Sequence, residues 1–150
     1  MRFVLGFIIF AIGMAFMQLI SGGMDIRVIG VLADAPTLIG IVAAILAVTV
    51  ATGQMGIFLA AIKSLFTKNS NLSADDAAKA AELFKLLRKT TFAAGVLIAL
   101  TALVLMLGNL QDINMLAANT ALALLGIYYA VAINLIIFNP IIAILQRHQK

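Results

Sequence analysis

The sequence predicts an all-α integral membrane protein, with four transmembrane helices and a short amphipathic cytoplasmic helix. Three observations carry that prediction. Hydrophobic residues make up 64% of the 150-residue chain and charged residues 11%, whereas a soluble domain is about half apolar and a quarter charged. The apolar residues gather into four runs, each near the roughly 20 residues a bilayer core requires. The charges gather between and beyond those runs. Inside lipid each run must satisfy its own backbone N–H and C=O groups, which selects helix.

In chain order, the first run, FVLGFIIFAIGMAFMQLI, covers 3–20. It is longer than the apolar part of a signal peptide, and the following SGG lacks a small-x-small cleavage pattern, so it reads as a retained helix. The outer loop SGGMDIRVIGVLADAP intersperses Ile26, Val28, Ile29 and Val31 with polar residues and suits the membrane interface. Pro36 fits the first turn of the next helix, where a missing N–H is no loss. The second run is expected as one helix over 38–62.

The link 63–90 opens on a polar turn, TKNSN, and continues SADDAAKAAELFKLLRK. Ser73 is placed to cap a helix whose first turn holds Asp75 and Asp76, against the positive end of the dipole. Asp75 with Lys79 and Glu82 with Lys85 stand at helix-supporting spacings, and Leu83, Phe84 and Leu87 form an apolar stripe. This amphipathic helix is expected to be a solvated connector that runs on into the third span, about 91–110; the fourth covers about 115–145. Small residues, Gly6 and Gly13 on the first run and Gly40, Ala44, Ala47 and Ala51 on the second, predict close helix packing. The whole, 1–150, reads as a single membrane domain.

Topology follows from the loops. Lys63, Lys68, Lys79, Lys85, Arg88 and Lys89 lie in the 63–90 link, and Arg2, Arg147 and Lys150 lie at the termini. The other two loops hold Arg27 beside Asp25, Asp34 and Asp112. The positive-inside rule then puts both termini and the link in the cytoplasm. The same placement explains the pI of about 9.8 without nucleic acid.

The chemistry is sparse. Cysteine is absent, and the single His148 sits in a basic tail, which argues against thiolate, metal or cofactor sites. No Asp, Glu, Lys or Arg falls inside an apolar run, so neither an enzyme nor a self-sufficient proton pathway is expected. Among the polar residues that fall there are Thr49, Thr52, Gln54, Thr101, Asn119, Thr120, Tyr128, Tyr129 and Asn134. A threonine can bond the carbonyl of the preceding turn. The Asn134 amide has more hydrogen-bonding capacity than its own turn satisfies. Thr120, Ala123, Ile127, Ala130 and Asn134 share one helical face, small or polar enough for another helix or a narrow channel.

Asp-Ala-Pro-Thr-Leu opening the second run, GVLIALTALVLMLGNLQD at 95–112, and ALALLGIYYAVAINLIIFNPIIAILQR at 121–147 come in an order that resembles the MotA family and its ExbB and TolQ relatives. The resemblance implies a ring, a homopentamer, in the bacterial inner membrane. The ring would enclose MotB-like partners, each with one transmembrane helix bearing an Asp or Glu that carries the ion. The third and fourth spans would line the pore, with Ala99, Thr120, Ile127, Asn134 and Pro140 along the ion path and Thr101 and Tyr128 as secondary positions. Pro140 matches the proline that closes the last span in the family. Ala99 and Ile127 stand where sodium-driven members carry threonine, which points to protons. The link is too short for the cytoplasmic domain by which flagellar members engage a rotor, so the expected logic is that of ExbB or TolQ. A passive membrane scaffold that moves no ions stays open beside this reading.

Overall fold

A computed structural model describes residues 8–9, 12–13, 34–66, 73–108 and 110–147, with no side-chain description at 65–66. Ile8, Ile9, Ile12 and Gly13 are helical; the rest of the first run, the outer loop with Arg27, the TKNSN turn and the tail with His148 lie outside the described residues. The chain divides into two compact units, Met1–Ala35 and Pro36–Lys150. The helices are α1 (Ala35–Ala51), α2 (Met55–Phe66), α3 (Ala74–Gly108), α4 (Ile113–Ile133) and α5 (Asn139–Arg147), with a π-helical turn at Asn134–Phe138 joining α4 to α5. No strand occurs among the described residues.

Two stretches are long and apolar enough to cross a membrane: α3, and α4 through α5, each 35 residues long and containing an 18-residue window of mean hydropathy 2.3. At 1.5 Å per residue each reaches about 50 Å, well beyond the hydrocarbon core. This chain is therefore read as a membrane protein.

The connector and the third span are one helix. Ser73 caps it as its sequence anticipates, its hydroxyl accepting from the Asp76 N–H at 3.1 Å. Lys79 pairs with Asp75, and Lys85 with Glu82 at 2.6 Å, both on the exposed side. Exposed pairs of this kind contribute little to stability. The opposite side carries Ala77, Ala80, Ala81, Leu83, Phe84 and Leu87, all buried. Burial of that stripe, more than the ion pairs, holds the first half of α3 in place.

The second run differs from its expectation of one helix over 38–62. It breaks at Thr52–Gln54 into α1 and α2, which are bent by 119°. Gly53 adopts a positive φ of 65°. Its N–H donates to Val50 O at 2.9 Å and the Gln54 N–H donates to Thr49 O at 3.2 Å. That pair of bonds is a Schellman stop, in which a glycine just past the helix turns left-handed and the last carbonyls are satisfied. Gln54 then starts α2, accepting from the Phe58 N–H at 2.9 Å.

α3 packs along α4 and, past the π turn, along α5. The turn between α3 and α4 is fixed by Asp112, whose carboxylate accepts from Asn114 N at 2.9 Å and Met115 N at 3.3 Å. At the crossing, a Cβ added to Gly95 would lie 2.4 Å from the Ala130 Cβ and 2.5 Å from the Gly126 carbonyl oxygen. One added to Gly126 would lie 2.9 Å from the Gly95 carbonyl oxygen. The two backbones are therefore in contact, an approach only glycine permits. Three rings close the other end. Phe58 stacks on Phe84 with centroids 5.7 Å apart, and Phe84 meets Phe138 edge-on at 5.9 Å. These contacts tie α2, α3 and the π turn into one core.

Candidate functional site

The polar features of the long helices converge near the π turn. Pro140 has no N–H to give, and its ring crowds the carbonyl of Ile136 one turn earlier. The helix responds by widening: the Asn139 N–H donates to Asn134 O, five residues back instead of four. The Asn139 side chain is held from α3, its Oδ1 accepting from Arg88 Nη1 at 3.2 Å. The helix thus carries a π turn, Asn134–Phe138, immediately ahead of the proline's helical segment. Such turns recur at functional sites.

Asn134 opens that turn. It is half-buried, and its Oδ1 is shielded from solvent without a hydrogen-bond partner. Thr91 on α3 is fully buried, and its hydroxyl also lacks a partner. Thr91 stands one turn before Gly95, and Asn134 one turn after Ala130. Because Gly95 meets Ala130 in an antiparallel pair, the two orphaned groups sit at nearly the same level of the α3–α4 contact. Leaving such a group unsatisfied costs about 1–3 kcal/mol. Two such groups thus lie on the same stretch of the contact.

The remaining sequence-derived positions are distributed around this point. Ala99 is 4% exposed and packs with Ala102 and Ala123, so it belongs to the contact between the two helices. Thr120 is exposed, its hydroxyl donating to Leu116 O at 2.7 Å and lying 3.3 Å from Met106 Sδ. Ile127 is 43% exposed. Thr101 is exposed and donates to Leu97 O at 2.9 Å. Tyr128 is exposed and meets Tyr129 edge-on at 5.8 Å. Pro140 is half-buried. The face expected to run through Thr120, Ala123, Ile127, Ala130 and Asn134 is divided by the structure. Ala123 and Ala130 turn into α3, Thr120 and Ile127 face outward, and Asn134 lies at the edge between them.

Thr49 and Thr52 bond the carbonyls of Ile45 and Val48 at 2.7 and 2.9 Å, as their placement on a helix predicts. Gln54 keeps a buried, unpartnered Oε1 at the α1–α2 break. Thr91 was not legible as a site residue from hydropathy, because a threonine in an apolar helix ordinarily bonds its own preceding turn. Its signal is the spacing Thr91, Gly95, Ala99, which puts the hydroxyl on the close-packed face. Among the described residues no group of three or more His, Cys, Asp or Glu is placed to hold a metal ion.

Comparison with known proteins finds no matching family model, no similar curated protein and no similar solved structure. The functional reading therefore stands on the residues and geometry above.

Proposed function

We propose that this chain is the ring-forming subunit of a proton-driven, MotA-like complex of the bacterial inner membrane, a pentamer around a MotB-like partner with one acid-bearing span. The observation that carries the reading is Asn134: a half-buried amide whose oxygen lacks a partner, at a π turn in an otherwise apolar helix. The Asn134 oxygen is shielded within the single chain, so a partner reaches it only when the amide turns outward; there it accepts a hydrogen bond from a protonated carboxyl and gains nothing from a carboxylate. It favours the acid form beside it and lets go when the proton leaves. The chain's long helices contain no intramembrane acid of their own, so the carboxyl comes from the partner. The outward face of α4, with Thr120, Leu124, Ile127 and Val131 exposed, offers the path along which a partner helix would lie.

The passive scaffold is the second reading, and one observation favours it. The hydroxyls of Thr49, Thr101 and Thr120 all donate to carbonyls of their own helices, which spends their protons within the helix and makes them ordinary packing residues in this reading.

Asn134→Leu combined with Pro140→Ala separates the two. With the partner co-expressed and the complex in vesicles, the motor reading predicts that proton flux falls by about tenfold or more, the scale of one lost transition-state hydrogen bond. Unchanged flux and unchanged assembly would leave the scaffold.

A further inference from the structure

The second apolar run carries an inference independent of the motor reading. α1 runs antiparallel to α3: Gly40 lies beside Ile98, 3.4 Å from an added Cβ to the Ile98 Cδ1, while Phe58, just past the break, stacks on Phe84. The chain therefore descends along α3 from the level of Ile98 to that of Phe84. On α3 that stretch ends the apolar window, because Arg88 and Lys89 are exposed there and charged residues recur toward Ser73. The Schellman stop at Gly53 thus falls near the level of Phe84, where the apolar stretch of α3 gives way to charged residues. α2 leaves α1 at 119°, somewhat past a right angle, so an α1 tilted as spans commonly are brings α2 level.

We propose that α2 lies in the plane of the membrane at the headgroup boundary, and that with Lys63, Arg88 and Lys89 it takes anionic phospholipid headgroups. Its outward side is Gly56, Leu59, Ala60 and Lys63, at spacings of three and four, all exposed. That side is apolar with a cation in the last turn, suited to lie on acyl chains while the lysine reaches the phosphates. The occupant follows from charge. Lys79 and Lys85 are matched by Asp75 and Glu82, whereas no carboxylate pairs with Lys63, Arg88 or Lys89 among the described residues. Arg88 spends one nitrogen on Asn139 and keeps further donors for a phosphate.

The chain has no cysteine, so single introduced thiols report position without background. Spin labels at Val42, Leu46 and Val50 on α1 and at Met55, Leu59 and Ile62 on α2 would be read for depth in phosphatidylcholine vesicles with and without phosphatidylglycerol. Depth should change by about 1.5 Å per residue along α1 and stay level at the headgroup boundary along α2. Phosphatidylglycerol should at least halve the mobility of the Leu59 label, and Lys63→Gln with Lys89→Gln should remove that response. A depth gradient continuing through α2 would overturn the in-plane helix. A level helix indifferent to phosphatidylglycerol would overturn the lipid assignment.

Discussion

The α3–α4 pair and the α1–α2 pair start from similar composition and end differently. Both are apolar and alanine-rich, and both contain glycine in mid-run. Gly95 and Gly126 sit inside helices that continue, because each removes a Cβ that would collide with the other backbone. Gly53 sits where a helix stops, because it takes a positive φ that ends the run, and an added Cβ there would meet nothing within 4 Å. The cost of glycine within a helix, about 1 kcal/mol, is offset by contact at Gly95 and Gly126, and Gly53, past the helix end, does not incur it. Apolar composition places a segment in the membrane. What surrounds its glycines decides whether the helix runs on or stops.

The contrast can be broken most forcefully at the crossing. Gly95→Val would push a branched side chain into Ala130 and Gly126, and overpacking of this kind costs on the order of 1–3 kcal/mol. Thermal unfolding in detergent should show that loss, and Gly126→Val should show a loss that does not add to it, since both variants separate the same two helices. Full additivity would mean the helices are not in contact there. A smaller effect is expected at the break. Gly53→Ala imposes a left-handed conformation on a residue with a Cβ, costing about 1–2 kcal/mol. If the bend is local in origin, distances between labels on α1 and α2 should broaden as the stop weakens; unchanged distances with unchanged stability would assign the bend to packing around Phe58.

The smallest change sharpens the hairpin itself. Asp112→Ala removes the two bonds that start α4 and should cost about 1 kcal/mol, with faster amide exchange confined to residues 113–116. Loss spread along the whole of α4 would show that the cap also sets the register of the crossing.

Much of the fold was legible in advance for stated physical reasons. The long helices follow from apolar length. The Ser73 cap and the Asp75–Lys79 and Glu82–Lys85 pairs follow from spacing, and all three are seen. The break at Gly53 was not anticipated, because TGQM interrupts neither the hydropathy nor the length of the run. Only a glycine about one turn past the last periodic residue hinted at it. The site was half legible. Asn134 stood out as an amide that its own turn could not satisfy, and Pro140 only through the family resemblance. The π turn that joins them depends on how the chain absorbs the missing N–H, and Thr91 becomes polar in its surroundings only because Gly95 draws α4 against it. Ala99 and Ile127 share the neighbourhood but face different ways, one into the contact and one outward, a distinction that awaits the partner helix that sequence periodicity alone does not supply.

The central claim is that Asn134 works against a carboxyl brought by another chain. Native mass spectrometry of the complex extracted from its own membranes tests it most directly. The account predicts five copies of this chain with two copies of a single-span protein whose membrane segment contains Asp or Glu. An assembly of this chain alone, stable through extraction and conducting no protons in vesicles, would contradict it.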